Sequence, residues 1–248
     1  MPIRLTQSIK VLLVTCFIVF ILQQTADQFF SMRILSFFGL SSGSFFQGHR
    51  YWQLLTYSFF HRDVMHLFFN MMMLAFIGSE LEAVWGPSQF IRYYAFCATT
   101  SGLVYLLLSS LSTFGLGQLP MIGATGAVYG LLMAYGLIFG ERVLLFMMLF
   151  PMKAKHFVWV LALLELMTTL YSGGGGFASL GHLSGMVTGL GYLWVRTLLI
   201  LSKKNKQKRG FTSRFKKRKN QHLKLIVNND QNFDSKEEAS EEDPTTWH

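Results

Sequence analysis

Three groups of polar residues lie in apolar parts of the chain. Polar side chains inside a membrane-spanning helix cost free energy and therefore need a reason. Thr125 stands two residues after Gly123 at the start of one apolar segment, and His182 lies inside a later one. His66 and Asn70, in an earlier segment, are four residues apart and therefore share one helix face. A hydroxyl and a histidine can form a nucleophile–base pair, and two adjacent donors can stabilise an oxyanion. Together they predict acyl-transfer chemistry.

Each group also has a purely structural interpretation. Thr125 can cap its helix, His66 and Asn70 can join helices through hydrogen bonds, and His182 can bond to a backbone carbonyl. His61, at the exterior end of its segment, is expected to brace a loop rather than perform chemistry. The chemical interpretation is favoured because all three groups occur together in one chain.

Small residues predict how two of these groups meet. Gly185 and Gly189 form a G-x-x-x-G pair, and His182 lies on the same helix face. Gly126 follows Thr125 and lets another helix approach closely. We therefore expect the two helices to pack together and to bring Thr125 and His182 within hydrogen-bond reach.

A third catalytic residue is not evident from the sequence. Glu165 is the one acid well inside a later apolar segment, and its position there predicts a depth near the middle of the bilayer. His182 is expected in the exterior third of the membrane. The sequence therefore favours a two-residue dyad of hydroxyl and imidazole.

Composition indicates an all-α membrane protein. The 248 residues are 51% hydrophobic and only 14% charged, against about 25% charged in soluble domains. Six apolar segments approach the ~20 residues that span a bilayer. They predict a six-transmembrane-helix bundle, with segments at 8–26, 59–79, 90–110, 124–141, 155–172 and 180–201. The short apolar run Val143–Phe150 is interpreted as an interfacial connector.

Charge divides the chain into a membrane domain, residues 1–202, and a tail, residues 203–248. The first holds ten Lys/Arg and six Asp/Glu, a net +4, and the second holds twelve and seven, a net +5. This distribution indicates a membrane protein with a polar appendage and argues against a nucleic-acid binder. The basic-then-acidic tail is expected to be disordered and cytoplasmic. Its basic part either lies on anionic headgroups or only fixes the topology.

The positive-inside rule then predicts both termini in the cytoplasm and a long exterior first loop, 27–58, whose aromatic residues lie at the lipid interface. The N-terminal apolar run is interpreted as a retained signal anchor rather than a cleaved signal peptide. Cys16 and Cys97 lie in apolar runs and are expected to be small buried hydrophobes.

The chain resembles the rhomboid family of intramembrane serine proteases over about residues 10 to 200. The resemblance rests on Trp52, Thr56, His61, His66-x-x-x-Asn70, Gly78-x-x-x-Glu82, Gly123-x-Thr125-Gly126, Tyr129 and His182-x-x-Gly185-x-x-x-Gly189.

The resemblance implies Thr125 at the nucleophile position, His182 as general base, and an oxyanion hole from His66 and Asn70. It also implies that Tyr129 packs against the base. The expected substrates are transmembrane or juxtamembrane segments of other membrane proteins, with no metal or organic cofactor. The expected location is a bacterial inner (plasma) membrane, and the oligomeric state is left open.

Two residues depart from the family pattern. Gln53 follows Trp52 where the family has arginine, which questions how the first loop is anchored. Thr125 stands where the family has serine; its methyl group stiffens χ1, and a misplacement of about 1 Å can cost 10²-fold in rate. The sequence thus favours an active protease, with a catalytically silent pseudoprotease that binds transmembrane clients as the alternative. A transporter or channel is a third hypothesis, supported only by Glu165.

Overall fold

The computed structural model describes residues 4–30, 33–111, 120–146, 150–171 and 179–204. These residues are mostly helical. In chain order the helices are α1 (Gln7–Phe30), α2 (Ile34–Phe38), α3 (Gln53–Thr56), α4 (Val64–Trp85), α5 (Pro87–Leu111), α6 (Thr125–Ile138), α7 (Ala154–Tyr171) and α8 (Ser179–Lys204).

Each of the six longer helices overlaps one of the six predicted apolar segments, with the largest difference at α4, which ends at Trp85 rather than near residue 79. By length and composition, four of them can cross a membrane: α1, α4, α5 and α8. Helix α6 has 14 residues, which corresponds to about 21 Å of helix, less than the ~30 Å of a hydrocarbon core. Helix α7 has 18 residues and is not among the four helices that can cross by length and composition. A path with six spans therefore stays a prediction.

Helix α4 begins later than the sequence suggested, at Val64 rather than near residue 59. Asp63 is extended, with φ of −150°, and its carboxylate accepts a hydrogen bond of 2.8 Å from the backbone N–H of His66. This N-cap defines the start of the helix. The helix contains a π-helical stretch, Leu74–Gly78, and ends before Gly86, whose φ is 77°.

The apolar segment predicted as an interfacial connector forms an antiparallel hairpin of β1 (Val143–Phe146) and β2 (Phe150–Lys153). Glu141 pairs with Lys153 at 2.7 Å and with Lys155. The hydrogen bonds from these two lysines lower the pKa of Glu141 to about 2. These ion pairs tie the hairpin to the start of α7.

The Gly78-x-x-x-Glu82 motif of α4 packs against the N-terminus of α1 and caps it. The Glu82 carboxylate accepts hydrogen bonds from the Thr6 hydroxyl and from the backbone N–H groups of Ser8 (3.2 Å) and Ile9 (3.3 Å). These are N–H groups that have no partner within the helix. A Cβ on Gly78 would lie 2.6 Å from the Ile9 side chain, so glycine permits the close approach of the two helices.

The first loop is held by Gln53, which is fully buried. Its side-chain amide donates to the carbonyl of Phe37 at 3.1 Å and accepts from the N–H of Ser41 at 3.4 Å. Arg50 donates to the carbonyl of Ser36 at 3.1 Å and lies 5.0 Å above the Phe37 ring. Glutamine in place of the family's arginine therefore leaves the loop anchored.

The aromatic residues that predict a lipid interface in this loop are largely exposed, among them Phe29, Phe30, Phe37, Phe46, Tyr51 and Trp52. Both cysteines are buried, as predicted. Most of the predicted tail, from residue 205 on, lies outside the described residues, as do residues 112–119 and 172–178. Residues 195–204, the end of α8, belong to a different compact unit of the structure from residues 4–194. The domain boundary at residue 202 stays a prediction.

Candidate active site

Helices α6 and α8 pack with their backbones in contact, as the glycine spacing predicts. A Cβ on Gly185 would overlap the carbonyl oxygen of Gly126, and a Cβ on Gly189 would lie 3.3 Å from the Cα of Gly130. A Cβ on Gly126 would also overlap the hydroxyl of Ser101, on α5. These glycines set the distance between the helices that carry Thr125 and His182.

The hydroxyl of Thr125 lies against the predicted donor pair. Its oxygen is 3.0 Å from Nε2 of His66 and 3.2 Å from Nδ2 of Asn70. Asn70 also donates to the carbonyl of His66 at 3.0 Å, which fixes the amide group on the helix. Among the side-chain hydrogen bonds of the described residues, those of Thr125 go to this pair and not to His182. The expected Thr125–His182 hydrogen bond is therefore not formed in this state.

Gly123 allows the turn before α6 to pass over the His66 ring. Its φ is 108°, a conformation that residues with a side chain rarely adopt. A Cβ there would lie 2.6 Å from Cε1 and 2.7 Å from Nε2 of His66. Its N–H donates to the carbonyl of Tyr57 at 2.9 Å. The glycine thus brings the start of α6 directly onto the imidazole.

His182 is held from two sides. Its Nδ1 lies 3.1 Å from Oε1 of Glu165, and both side chains are mostly shielded, with exposures of 16% and 14%. The Tyr129 ring stacks on the imidazole, with centroids 5.7 Å apart and planes at 21°, as the resemblance implies. The hydroxyls of Tyr129 and Ser179 also interact with the Glu165 carboxylate.

The prediction that His182 lacks a carboxylate partner is wrong. Glu165 lies six residues before the end of α7 at Tyr171, about 9 Å along the helix, and His182 lies three residues after the start of α8 at Ser179, about 5 Å. Both side chains thus lie within two helical turns of a helix end, and they meet there. The sequence predicts Glu165 near the middle of the bilayer and His182 in its exterior third, and the contact between them corrects this separation.

One cavity of about 330 Å³ connects these groups. Thr125, His66, Asn70, Tyr129 and His182 line it. The rest of its wall is apolar and consists of Phe, Met, Val and Leu side chains from α4, α6 and α7. A largely apolar pocket with a few converging polar groups is typical of a ligand or substrate site.

His61 supports the site from the connecting segment before α4. It is fully buried, its Nδ1 lies 3.2 Å from the carbonyl oxygen of Phe59, and its ring centroid is 5.1 Å from that of His66. Gln23 donates to the His61 carbonyl at 2.8 Å. Burial, and then the neighbouring His66, lower the pKa of His61 from 6.5 to about 4. These contacts agree with the bracing role expected from the sequence.

The comparison with known families agrees with this arrangement. A family model of the Rhomboid domain matches residues 48–198, more than half of the chain. This chain belongs to the rhomboid family. Together with its long apolar helices, membership identifies an integral membrane protein, and the rhomboid match contains every residue of the cavity described above.

Several curated proteins are similar to this rhomboid protein over part of their length. Rhomboid-like protein 15 of Arabidopsis thaliana is 29% identical over 59% of this chain and 36% of its own length. Rhomboid protein 1, mitochondrial, of Saccharomyces cerevisiae is 29% identical over 55% of this chain and 39% of its own. Rhomboid protease GluP of Bacillus subtilis is 30% identical over 38% of this chain and 17% of its own. The chain therefore spans well under half of these relatives.

Proposed function

We propose that this rhomboid protein is an intramembrane endopeptidase that cleaves transmembrane or juxtamembrane segments of other membrane proteins. Thr125 is the nucleophile and His182 is the general base. The observation that supports this function best is the convergence of Thr125, His66, Asn70 and His182 on one largely apolar cavity. These are a hydroxyl, a base and two oxyanion donors around a space that an extended peptide can enter.

Substrate binding begins with an exchange at the oxyanion donors. The scissile carbonyl oxygen displaces the Thr125 hydroxyl from His66 and Asn70, which hold it in the free protein. Rotation about the Thr125 Cα–Cβ bond turns the hydroxyl toward Nε2 of His182. Threonine in a helix divides between two χ1 rotamers, so this rotation is accessible.

Acylation then follows from the positions of these groups. Oγ1 of Thr125 forms a bond to the carbonyl carbon while its proton passes to Nε2 of His182. The oxyanion of the tetrahedral intermediate accepts hydrogen bonds from Nε2–H of His66 and Nδ2–H of Asn70. His182 gives the proton to the leaving nitrogen, the C–N bond breaks, and an ester on Thr125 remains.

Deacylation reverses the roles. Water enters the cavity, gives a proton to His182 and attacks the ester carbonyl. The second tetrahedral intermediate collapses as His182 returns the proton to Oγ1 of Thr125. The products are a new carboxyl terminus, a new amino terminus and the regenerated enzyme.

The finer membrane arrangement is part of the same proposal. All six long helices cross or enter the bilayer, both termini are cytoplasmic, and the site opens toward the exterior side of a bacterial plasma membrane. The supporting observations are the basic run after residue 202 and the basic residues Arg142, Lys153 and Lys155, which lie between the end of α6 and the first turn of α7. Substrates or clients reach the cavity from the surrounding lipid.

One observation favours a second function. The Thr125 hydroxyl occupies the donors that an oxyanion needs, and its methyl group restricts the rotation that would free them. A protein fixed in this state would be a pseudoprotease that holds transmembrane clients in the cavity without cutting them.

The test is cleavage of a fluorogenic transmembrane substrate by the full-length protein in liposomes. The wild type is expected to cleave it, Thr125→Ala and His182→Ala to abolish cleavage, and Thr125→Ser to increase the rate. Unchanged cleavage by Thr125→Ala contradicts the assigned nucleophile. Cleavage seen only with Thr125→Ser, together with crosslinking of a client to a photoreactive residue at Leu161 in the wild type, supports the pseudoprotease instead.

A further inference from the structure

A buried carboxylate is unusual in an apolar helix bundle and needs a reason, since a charged group there is costly unless it is paired. The Glu165 side chain is 14% exposed, and its Oε1 lies 3.1 Å from Nδ1 of His182. The described residues offer it no lysine or arginine within ion-pair distance. The histidine that lines the cavity is therefore the group on which this carboxylate acts.

We propose that Glu165 is a positioning residue that keeps the His182 proton on Nδ1 and so leaves Nε2 as the proton acceptor for Thr125. Its catalytic consequence rests on the function proposed above. An ionised carboxylate only accepts hydrogen bonds, so the imidazole must donate from Nδ1. In a neutral imidazole the other nitrogen is then an acceptor.

The surrounding side chains fix the orientation of both partners. Stacking on Tyr129 holds the plane of the imidazole, and the hydroxyls of Tyr129 and Ser179 interact with the carboxylate. Among the described residues, the titratable groups facing His182 are Glu165 from α7, Tyr129 from α6 and His66 from α4. Only Glu165 carries a negative charge that can offset the imidazolium formed when His182 takes the proton.

The carboxylate has two roles: it accepts the hydrogen bond from Nδ1–H, and it supplies a negative charge. Substitutions of Glu165 separate these roles. Glu165→Leu removes both the acceptor and the charge. Glu165→Gln keeps an acceptor oxygen for Nδ1–H and removes only the charge. Glu165→Asp keeps both and shortens the side chain.

The direct test is the tautomer of His182, measured by nuclear magnetic resonance on full-length protein labelled with [15N]histidine in lipid nanodiscs at pH 8. The His182 signals are identified by their loss in His182→Asn. We expect a protonated, pyrrole-type Nδ1 and an unprotonated, pyridine-type Nε2 in the wild type. Glu165→Gln should keep this pattern, and Glu165→Leu should give a mixture of tautomers.

Other patterns in the wild type overturn the proposal. A proton on Nε2 alone would mean that a protonated Glu165 donates to Nδ1, and protons on both nitrogens would mean that His182 is not a free base. Because the tautomer of His182 is measured on the wild type, this test of the proposal remains valid even if Glu165→Leu fails to fold. Glu82→Gln is the matched control: it removes a buried carboxylate that caps α1, and it should lower thermal stability without changing the His182 signals.

Turnover separates this proposal from the proposed function. Glu165→Leu is expected to lower kcat by about 10²–10⁴-fold with KM changed by less than about threefold. Glu165→Asp should recover part of this loss. A wild type that shows the Nδ1–H tautomer but cleaves nothing refutes the protease and keeps the positioning contact. An active wild type with an equally active Glu165→Leu refutes the positioning role and keeps the protease.

Discussion

The Thr125 hydroxyl oxygen lies 3.0 Å from Nε2 of His66. The residue at the nucleophile position therefore contacts a side chain that, in the proposed mechanism, donates a hydrogen bond to the oxyanion. In this state the hydroxyl lies within hydrogen-bond distance of both His66 and Asn70, and the Asn70 amide also donates to the carbonyl of His66. In the proposed mechanism, a substrate carbonyl takes over these hydrogen bonds, so that substrate entry and activation of Thr125 occur together.

Asn70→Ala is expected to lower kcat by about 10²–10³-fold, with a smaller change in KM, because the amide donates most strongly to the charged oxyanion. Initial rates on a fluorogenic transmembrane substrate measure this. Thr188→Ala serves as the control, since it removes a hydrogen bond of 2.9 Å between Thr188 and Thr100 away from the cavity. Equal losses in the two variants would show that Asn70 only joins helices.

Gly185→Ala is expected to destabilise the fold by about 1–3 kcal/mol, because the added Cβ would overlap the carbonyl of Gly126 and force α6 and α8 apart. Thermal unfolding in detergent measures the loss. Gly191→Ala is the matched control on the same helix: a Cβ there meets nothing within 4 Å, and alanine favours the helix by up to about 1 kcal/mol. A Gly185→Ala protein as stable as Gly191→Ala would contradict the close packing.

Gln53→Ala is expected to destabilise the first loop by about 1–3 kcal/mol, because the Ser41 N–H loses its buried acceptor and the Phe37 carbonyl keeps only the donor of Trp52. Limited proteolysis of the loop should become faster. Gln47→Ala, an exposed residue in the same loop, should leave the rate unchanged. Similar rates for both variants would mean that Arg50 alone anchors the loop.

Stability is expected to fall as the pH drops from about 6.5 to about 4. The pKa of His61 is lowered by burial to about 4, so across this window the unfolded chain takes up a proton that the folded protein excludes. This contribution is at most about 3 kcal/mol. Thermal unfolding at several pH values measures it, and His61→Gln should flatten the dependence, whereas His49→Gln, an exposed control, should not. Equal slopes in His61→Gln and the wild type would assign the effect to other groups.

Sequence spacing predicted the parts of the site that depend on helix periodicity. His66 and Asn70 meet the same hydroxyl because residues four apart share a face. Gly185 and Gly189 predicted the close approach of α8 to α6 because the small-residue pattern allows backbone contact. The start of α4 also has a sequence signal, because Asp63 is a preferred N-cap residue directly before an apolar run.

The remaining features depend on contacts between different helices or loop segments, which residue spacing within one helix does not predict. The Glu165–His182 contact depends on how α7 and α8 lie beside each other, which the residue pattern of either helix alone does not show. The rotamer of Thr125 depends on which donors lie nearest, and these come from α4, some sixty residues earlier. The anchoring role of Gln53 depends on the carbonyls that the folded loop turns toward it.

The central claim is that Thr125 is an activated nucleophile, and covalent capture tests it most directly. Full-length protein in liposomes is treated with a fluorophosphonate, and the modified residue is identified by mass spectrometry of its peptides. The account predicts a phosphonyl adduct on Oγ1 of Thr125, formed with loss of fluoride, and no adduct there in His182→Ala. A wild type that stays unmodified while Thr125→Ser is labelled at residue 125 would contradict it.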